Sequence, residues 1–251
     1  MTLLIADHLS KAFGGNVVVD DVSFQIEPGE IVGLIGPNGA GKSTCFNMLN
    51  GQIRPDRGRI LFAGRDITGL PPFRRWRLGI GRGFQVAATF GSLTVRDNVR
   101  TALLSCNGLV WRFLRRASGM LGDEADARLS EVGLTHLAEK PASTLAYGDQ
   151  KRLELALALS NTPRLLLMDE PTAGMTAPDR RSTMALLQRL ARAQGSAVLL
   201  TDHDMDVVFQ IADRILVLDK GQLIADGVPA KVRSDPLVRA AYLGNIEQHP
   251  V

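Results

Sequence analysis

The chain has 251 residues, which suits one large domain or two small ones. Hydrophobic residues make up 45% of it, which excludes a disordered composition. The net charge of +3 does not indicate a nucleic-acid partner, and two cysteines, Cys45 and Cys106, exclude a disulfide framework. The amino terminus lacks the basic start of a signal peptide, and no apolar run approaches the ~18–20 residues of a membrane span. We therefore expect a protein that is soluble or attaches to a membrane only through a partner.

The first seventy residues are rich in β-branched and apolar residues separated by turns. A helix is predicted at 44–49, and the predicted strands are 3–9, 17–19, 22–26, 30–35 and 59–63. Short strands on both sides of that helix predict an antiparallel sheet beside a main parallel sheet.

From about Pro71 to Lys140 the sequence changes to arginine-, leucine- and alanine-rich stretches with helical spacing. Helices are predicted at 93–104, with Thr94 as the N-cap, and at 123–132. This segment is a candidate helical insertion.

The last part of the chain alternates helices and strands, which predicts a parallel sheet with helices on its faces. The predicted helices are 149–160, 178–193 and 205–211, and the predicted strands are 165–168, 197–201, 215–218 and 222–225.

A phosphate-binding loop is predicted at residues 36–44, GPNGAGKST, which fit the pattern G-x-x-x-x-G-K-[ST] between a strand and a helix. Its glycines let successive N–H groups point at an anion, and the helix N-terminus adds a positive dipole end. Lys42 is expected to reach the β- and γ-phosphates, and the Ser43 hydroxyl to ligate Mg²⁺. The alternative is a plain glycine-rich turn, which the strand and helix on either side disfavour.

Two carboxylates follow the apolar run 165–168. Asp169 is expected to orient Mg²⁺, and Glu170 to polarise an attacking water. The alternative is an ordinary strand end with surface acids, which the phosphate loop upstream disfavours.

With these motifs in this order, the chain resembles the nucleotide-binding subunit of ATP-binding cassette (ABC) transporters over about residues 3–243. Its other motifs follow in the family's order: Phe13, Gly83-Phe84-Gln85, the signature-like 145–150 (LAYGDQ), the loop 172–179 (TAGMTAPD) and His203. The resemblance implies an α/β fold, with a P-loop NTPase core, a mainly parallel sheet, an antiparallel β subdomain and a helical insertion subdomain.

The resemblance also implies roles for single residues. An aromatic face at Phe13 would stack on adenine, Gln85 would join the lobes and sense Mg²⁺, and His203 would contact the γ-phosphate. Residues 172–179 would touch the opposite subunit. The expected catalytic residues are Glu170, His203 and Lys42, and the expected metal ligands are Ser43, Gln85 and Asp169. The expected nucleotide-binding residues are Phe13, Val18, Asn38, Gly39, Ala40, Gly41, Lys42, Ser43, Thr44, Tyr147 and Gly148.

The signature differs from the family's commonest form, L-S-G-G-Q, by Ala146, Tyr147 and Asp149. The Tyr147 phenol either replaces the missing serine hydroxyl or packs, and Asp149 could cap its own helix. The form L-A-Y-G and residues 241–244 (AYLG) resemble the ATPases of branched-chain amino acid importers and their relatives for amides and urea. Residues 175–176 also differ from the usual Leu-Asp of the opposite-subunit loop.

As a member of this family the chain would be a single ABC ATPase domain, with a core at 1–86 and 152–251 and a helical subdomain at 87–151. It would hydrolyse ATP with Mg²⁺ to drive solute uptake, peripherally bound at the cytoplasmic face of the inner membrane. The implied partners are transmembrane permease subunits, a second copy or a paralogous ATPase, and indirectly a periplasmic solute-binding protein. No nucleic-acid partner is implied.

Other classes that share the nucleotide site are cassette ATPases for lipid or polysaccharide export, chromosomes, DNA repair or translation, and small-molecule kinases. A single cassette with a short insertion disfavours chromosome- and translation-type members, and the signature-like stretch disfavours a kinase. Residues from about Gln85 to Trp111 are expected to bind the membrane subunits. The basic–aromatic clusters 74–77 (RRWR) and 111–116 (WRFLRR) either join that surface, meet lipid head groups or form a solvated basic face.

Cys45 lies on the first turn after the phosphate loop. Its pKa could be lowered there by the helix N-terminus, but a small packing residue is the simpler interpretation.

Overall fold

The computed structural model describes residues 1–83, 89–106, 121–202 and 204–241. The strands are β1 Leu4–Phe13, β2 Asn16–Ile26, β3 Ile31–Ile35, β4 Arg57–Phe62, β5 Arg65–Asp66, β6 Ile80–Gly83, β7 Leu165–Asp169, β8 Ala197–Thr201, β9 Arg214–Asp219 and β10 Gln222–Gly227. The helices are α1 Lys42–Asn50, α2 Pro72–Arg77, α3 Val95–Cys106, α4 Gly122–Glu131, α5 Tyr147–Leu159, α6 Ala177–Gln194, α7 Met205–Ile211, α8 Pro229–Ser234 and α9 Pro236–Ala241.

The strands form two sheets. The smaller sheet has the order β2-β1-β4-β5 and is antiparallel. The larger has the order β10-β9-β3-β8-β7-β6, in which only the β10–β9 pair is antiparallel. The predicted α/β fold, with a mainly parallel sheet and an antiparallel β subdomain, is therefore confirmed.

The parallel sheet is buried on both faces. Along β3, Ile31 and Ile35 belong to one apolar cluster, whereas Val32 and Leu34 belong to the other. This alternation follows from the two-residue repeat of a strand, and it explains why β3, β7 and β8 have apolar runs rather than alternating patterns. One cluster includes α3, α5 and α6, and the other includes α1 and the antiparallel sheet.

Parallel pairing brings the carboxyl ends of five strands, β9, β3, β8, β7 and β6, to one edge of the sheet. At this edge the phosphate loop follows β3, Asp169 ends β7 and is followed by Glu170, and Asp202 follows β8. Ligand sites in open α/β sheets lie outside the carboxyl ends of the strands. The predicted phosphate loop and the predicted acidic pair are thus neighbours in space, although over a hundred residues separate them.

Several element boundaries differ from the sequence prediction. β6 was not predicted, because its glycine-rich sequence (IGRG) gives no strand signal; it forms by pairing with β7, from Ile80–Leu165 to Gly83–Met168. β2 is one strand and not two, despite Asp21 at φ 55°. The helices α8 and α9 were also missed. The division into a core and a helical subdomain at residue 87 stays a prediction.

Within the part of the chain that the structure describes, no helix is long and apolar enough to cross a membrane.

Arg75 of α2 is a buried cation that joins α2 to the C-terminal end of α1. Its side chain is 1% exposed. Its guanidinium donates to four carbonyl oxygens, those of Met48 (2.8 Å), Leu49 (2.6 Å), Thr68 (3.0 Å) and Leu70 (2.9 Å). Burial lowers the pKa of Arg75 to about 10, so the group stays charged at neutral pH. The positive charge lies where the dipole of α1 is negative, which stabilises the contact.

We expect Arg75→Lys to lower the free energy of unfolding by about 2–4 kcal/mol, because one ammonium cannot reach carbonyls on both segments and leaves buried oxygens unpaired. Urea unfolding followed by circular dichroism measures this. The control is Arg74→Lys, the same change at the exposed neighbouring residue, which should change the unfolding free energy by less than about 0.5 kcal/mol. Equal stability of the two variants would contradict the structural role of Arg75.

Candidate nucleotide-binding site

The phosphate loop connects β3 to α1. Gly41, at the N-cap position of α1, has φ 100°, and no side chain caps the helix. The N–H groups of the first turn therefore remain available to an anion, as at other phosphate-binding helix ends. A Cβ atom at Gly41 would lie 2.6 Å from the carbonyl oxygen of Val18, so β2 packs against this loop too closely for a side chain.

Lys42 lies close to both acidic residues that follow β7. Its ammonium donates to the carbonyl oxygens of Gly36 (2.6 Å) and Pro37 (3.0 Å). Partial burial lowers the pKa of Lys42, while the charges of Glu170 and Asp169 act in the opposite direction. The structure thus brings together three of the residues predicted from separate motifs.

Asp169, at the end of β7, is 7% exposed. It accepts a hydrogen bond from the hydroxyl of Thr201 on β8 (2.7 Å), and a guanidinium nitrogen of Arg82 on β6 lies 4.0 Å from its other oxygen. Burial lowers the pKa of Arg82. Thr201 and Arg82 were not predicted as site residues, because only strand pairing places them next to Asp169.

Glu170 has an unusual backbone conformation. It is half-buried with φ 51°, a left-handed value that is uncommon for residues other than glycine, and its N–H donates to the carbonyl oxygen of Thr201 (3.0 Å). Strained residues of this kind concentrate at functional sites.

A further acidic residue, Asp202, was missed in the sequence. It is 7% exposed and accepts hydrogen bonds from the Thr172 hydroxyl (2.6 Å) and the Asp204 N–H (3.0 Å). It thereby ties the loop after Glu170 to the turn after β8. His203 lies in that turn but outside the described residues, as does Gln85 in the segment 84–88.

The other predicted nucleotide-binding residues differ in exposure. Phe13, at the end of β1, is 47% exposed, and the Lys11 ammonium lies over its ring, 5.4 Å from the ring centre. In and after the loop, Ala40 is buried and Thr44 is half-buried, whereas the exposed residues are Asn38, Gly39 and Ser43.

The signature-like stretch begins α5. The helix starts at Tyr147, its N-cap is Ala146, and no side chain caps it. The interpretation of Asp149 as a cap is therefore wrong; it lies in the first turn, where a carboxylate interacts favourably with the helix dipole. Gly148 lies within the helix rather than before it. The phenol of Tyr147 donates to the carbonyl oxygen of Ala173 (2.6 Å).

Thr176 stands where the family commonly has aspartate, and it caps α6. Its hydroxyl accepts from the Asp179 N–H (3.5 Å) and donates to the Asp179 carboxylate (2.6 Å), which is the pairing expected of a Thr-x-x-Asp helix start. The preceding Met175 is 8% exposed. Both departures are therefore accounted for by local structure.

Cys45 is fully buried, and burial raises the pKa of its thiol to about 12. The expectation that the helix start lowers the pKa of Cys45 is thus wrong, and the interpretation of Cys45 as a packing residue is confirmed.

Comparison with known proteins agrees with this geometry. The family model described as "ABC transporter" matches residues 19–173, and one described as "Branched-chain amino acid ATP-binding cassette transporter" matches residues 222–246. The chain is 39% identical over 251 residues to LivG of Escherichia coli (strain K12), a "high-affinity branched-chain amino acid transport ATP-binding protein", covering 96% of this chain and 98% of LivG. It is 39% identical over 249 residues to BraF of Pseudomonas aeruginosa, which carries the same description, with the same coverages.

Solved structures agree as well. An ATP-binding cassette of an ABC transporter in its ADP conformation superposes with a TM-score of 0.85 at 29% identity, covering 97% of this chain and 99% of that one. A nucleotide-free cassette superposes with a TM-score of 0.83 at 30% identity, covering 96% and 99%.

The chain belongs to the ABC transporter family. It is a nucleotide-binding ATPase of the class that is coupled to transport.

Proposed function

We propose that this chain is the ATP-hydrolysing subunit of an importer for branched-chain amino acids or related amide or urea solutes, bound to separate permease subunits at the cytoplasmic face of the inner membrane. The solute class rests on the names of LivG and BraF and on the match at residues 222–246. The observation that supports hydrolysis is the meeting of Lys42, Asp169 and Glu170 at one edge of the parallel sheet.

In this proposal the phosphate loop binds ATP. The uncapped first turn of α1 donates N–H groups to the phosphates, and Lys42 exchanges its carbonyl partners for phosphate oxygens. Phe13 offers its exposed ring to the adenine. Val18, Asn38, Gly39, Ala40 and Thr44 complete the pocket around the nucleotide.

The residues of the site also fit Mg²⁺. Among the described residues no cluster of three or more His, Cys, Asp or Glu side chains could hold a metal by itself. A hard cation at Ser43 and Asp169 would therefore take its other ligands from phosphate, water and Gln85, which is usual for Mg²⁺. When bound, the ion neutralises charge that develops on the phosphates.

Hydrolysis would proceed by attack of water on the γ-phosphate. The Glu170 carboxylate accepts a hydrogen bond from that water and orients it, and His203 donates to a γ-phosphate oxygen. Lys42 offsets negative charge in the transition state.

The uncapped start of the signature helix would act on another copy's nucleotide. Tyr147 and Gly148 begin α5, and the proposed dimer places the backbone N–H groups of this helix start against the ATP bound to a second copy or a paralogous subunit. Two chains would then enclose two nucleotides head to tail.

We expect Lys42→Ala to reduce ATP turnover by at least about a hundredfold and to weaken ATP binding, because it removes the charge-assisted bonds of the lysine to the phosphates. Phosphate release and calorimetric titration with ATP measure the two effects. Lys231→Ala is a matched control, since it removes an exposed lysine of α8 outside the phosphate loop, and it should keep the parent turnover and ATP affinity. Turnover at the parent rate in Lys42→Ala would contradict the assignment of the loop.

The proposed permease contact lies on the face formed by α2, α3, α5 and β6. Two cavities of about 280 and 290 Å³ lie there and share Trp76 and Arg82 in their walls. Exposed aromatic rings border them, Phe90 (57% exposed) at one and Phe73 (58% exposed) at the other.

Buried polar atoms on this face have no partner within the described residues. They are Nε and Nη1 of Arg82, Oε1 of Glu154 and Nδ2 of Asn50. Leaving buried polar atoms unpaired costs free energy. The surface that a partner can reach is apolar and bordered by exposed aromatic rings, which fits a protein segment such as a cytoplasmic loop of a permease. Of the segment from about Gln85 to Trp111 that is expected to bind the permease, residues 85–88 and 107–111 lie outside the described residues, as does the cluster 111–116.

We expect the double variant Phe73→Ser/Phe90→Ser to lose most of its co-purification with the permease subunits while ATP affinity is unchanged, because exposed rings contribute contact area and not folding energy. The matched control is Val228→Ser/Leu237→Ser, two apolar side chains of similar exposure (57% and 65%) outside this face. Equal recovery of permease with both double variants would rule out this face.

A further inference from the structure

Tyr147 makes a contact within its own chain that the commoner glycine could not make. Its phenol donates to the carbonyl oxygen of Ala173 at 2.6 Å, across 26 residues of sequence. Tyr147 starts α5, and Ala173 belongs to the loop 171–176 that follows Glu170. The bond therefore links the signature helix to the loop that carries the attacking-water residue.

The surroundings of the phenol are shaped to it. Gly174 has φ 78°, and a Cβ atom there would lie 3.2 Å from the phenol oxygen and 3.4 Å from Cζ, so the ring lies closely against the glycine backbone. The Lys151 ammonium lies over the ring, 5.6 Å from its centre, and pairs with the buried Glu154 at 3.0 Å. The tyrosine is thus held from α5 and from the loop, although it is 47% exposed.

The loop 171–176 is anchored at a second place. The Thr172 hydroxyl donates to Asp202 at 2.6 Å, and both residues are buried. Between the two anchors the N–H of Ala173 donates to the carbonyl oxygen of Glu170 at 3.1 Å. Ala173 therefore bonds Glu170 through its N–H and Tyr147 through its carbonyl oxygen.

We propose that Tyr147 is a positioning residue for hydrolysis: its phenol fixes the loop 171–176 and thereby the backbone of Glu170 in its left-handed conformation. This inference rests on the proposed function, in which Glu170 orients the attacking water. Because α5 begins with the signature residues, the same bond makes the position of that water depend on where α5 lies.

The alternative role for Tyr147 is that of the missing signature serine, a hydroxyl donor to the nucleotide of another copy. A phenol has one O–H hydrogen, and in this structure the Ala173 carbonyl takes it. The two roles predict different defects. A positioning role affects the rate of hydrolysis, whereas a phosphate donor affects the ATP-dependent association of two copies.

We expect Tyr147→Phe to lower kcat about five- to tenfold with the KM for ATP changed by less than about twofold, because loss of the bond loosens the water-orienting loop without touching the phosphate loop. Phenylalanine keeps the ring packed on Gly174. In a Glu170→Gln background, Tyr147→Phe should leave the ATP-dependent dimerisation constant within about twofold, as measured by light scattering over a protein dilution series.

Thr144→Val is the matched control. Its exposed hydroxyl also donates to a carbonyl oxygen, that of Pro141 at 2.8 Å, just before the signature residues, but it does not contact the loop 171–176. It should retain the parent kcat. The urea midpoint of Tyr147→Phe tests whether this variant is folded. Its kcat is compared with that of the parent under conditions in which both are folded.

Three results would overturn the inference: a parent kcat in Tyr147→Phe, an equal fall in Thr144→Val, or a dimerisation constant weakened tenfold or more. The last would show that the phenol serves the other copy's phosphate. A parent protein that does not hydrolyse ATP would instead refute the proposed function, and this inference with it.

Discussion

The site depends on the parallel pairing of β3, β8 and β7. The register joins Ile31 to Val198 and Ala197 to Leu165, so that all three strands end at one edge. The strands are buried over their whole length, as is usual for parallel strands that are covered on both faces. The phosphate loop and the two carboxylates are neighbours only because of this pairing.

The same strand pairing brings the charged groups of the site together at that edge. The Lys42 ammonium lies near two carboxylates but is bonded to backbone carbonyls of its own loop, and burial lowers its pKa. Incoming phosphates would supply the negative charge that such a half-buried cation lacks. Arg82 is a second cation beside Asp169, and it also lines a cavity of the surface that we propose for the permease. Nucleotide site and docking face therefore share one side chain.

The sequence was sufficient for the features that local patterns determine. The phosphate loop, the apolar strands and the acidic pair were all predicted, because each is defined by contiguous residues. The strand β6 was missed, since its sequence has no strand signal and only its pairing with β7 creates it. Arg75 and Asp202 were missed for a similar reason: their partners lie 5 to 30 residues away and are brought together by packing.

The sequence left two roles open for Tyr147, and the structure shows that its hydroxyl donates to the carbonyl oxygen of Ala173.

If the γ-phosphate bridges two copies, a variant that binds ATP but cannot orient water should accumulate as the bridged dimer. Glu170→Gln keeps the shape of the side chain and loses the carboxylate. Light scattering should then show a dimer with ATP and Mg²⁺ and a monomer with ADP. A monomer in ATP, at nucleotide concentrations well above its dissociation constant, would contradict a site completed by a second copy.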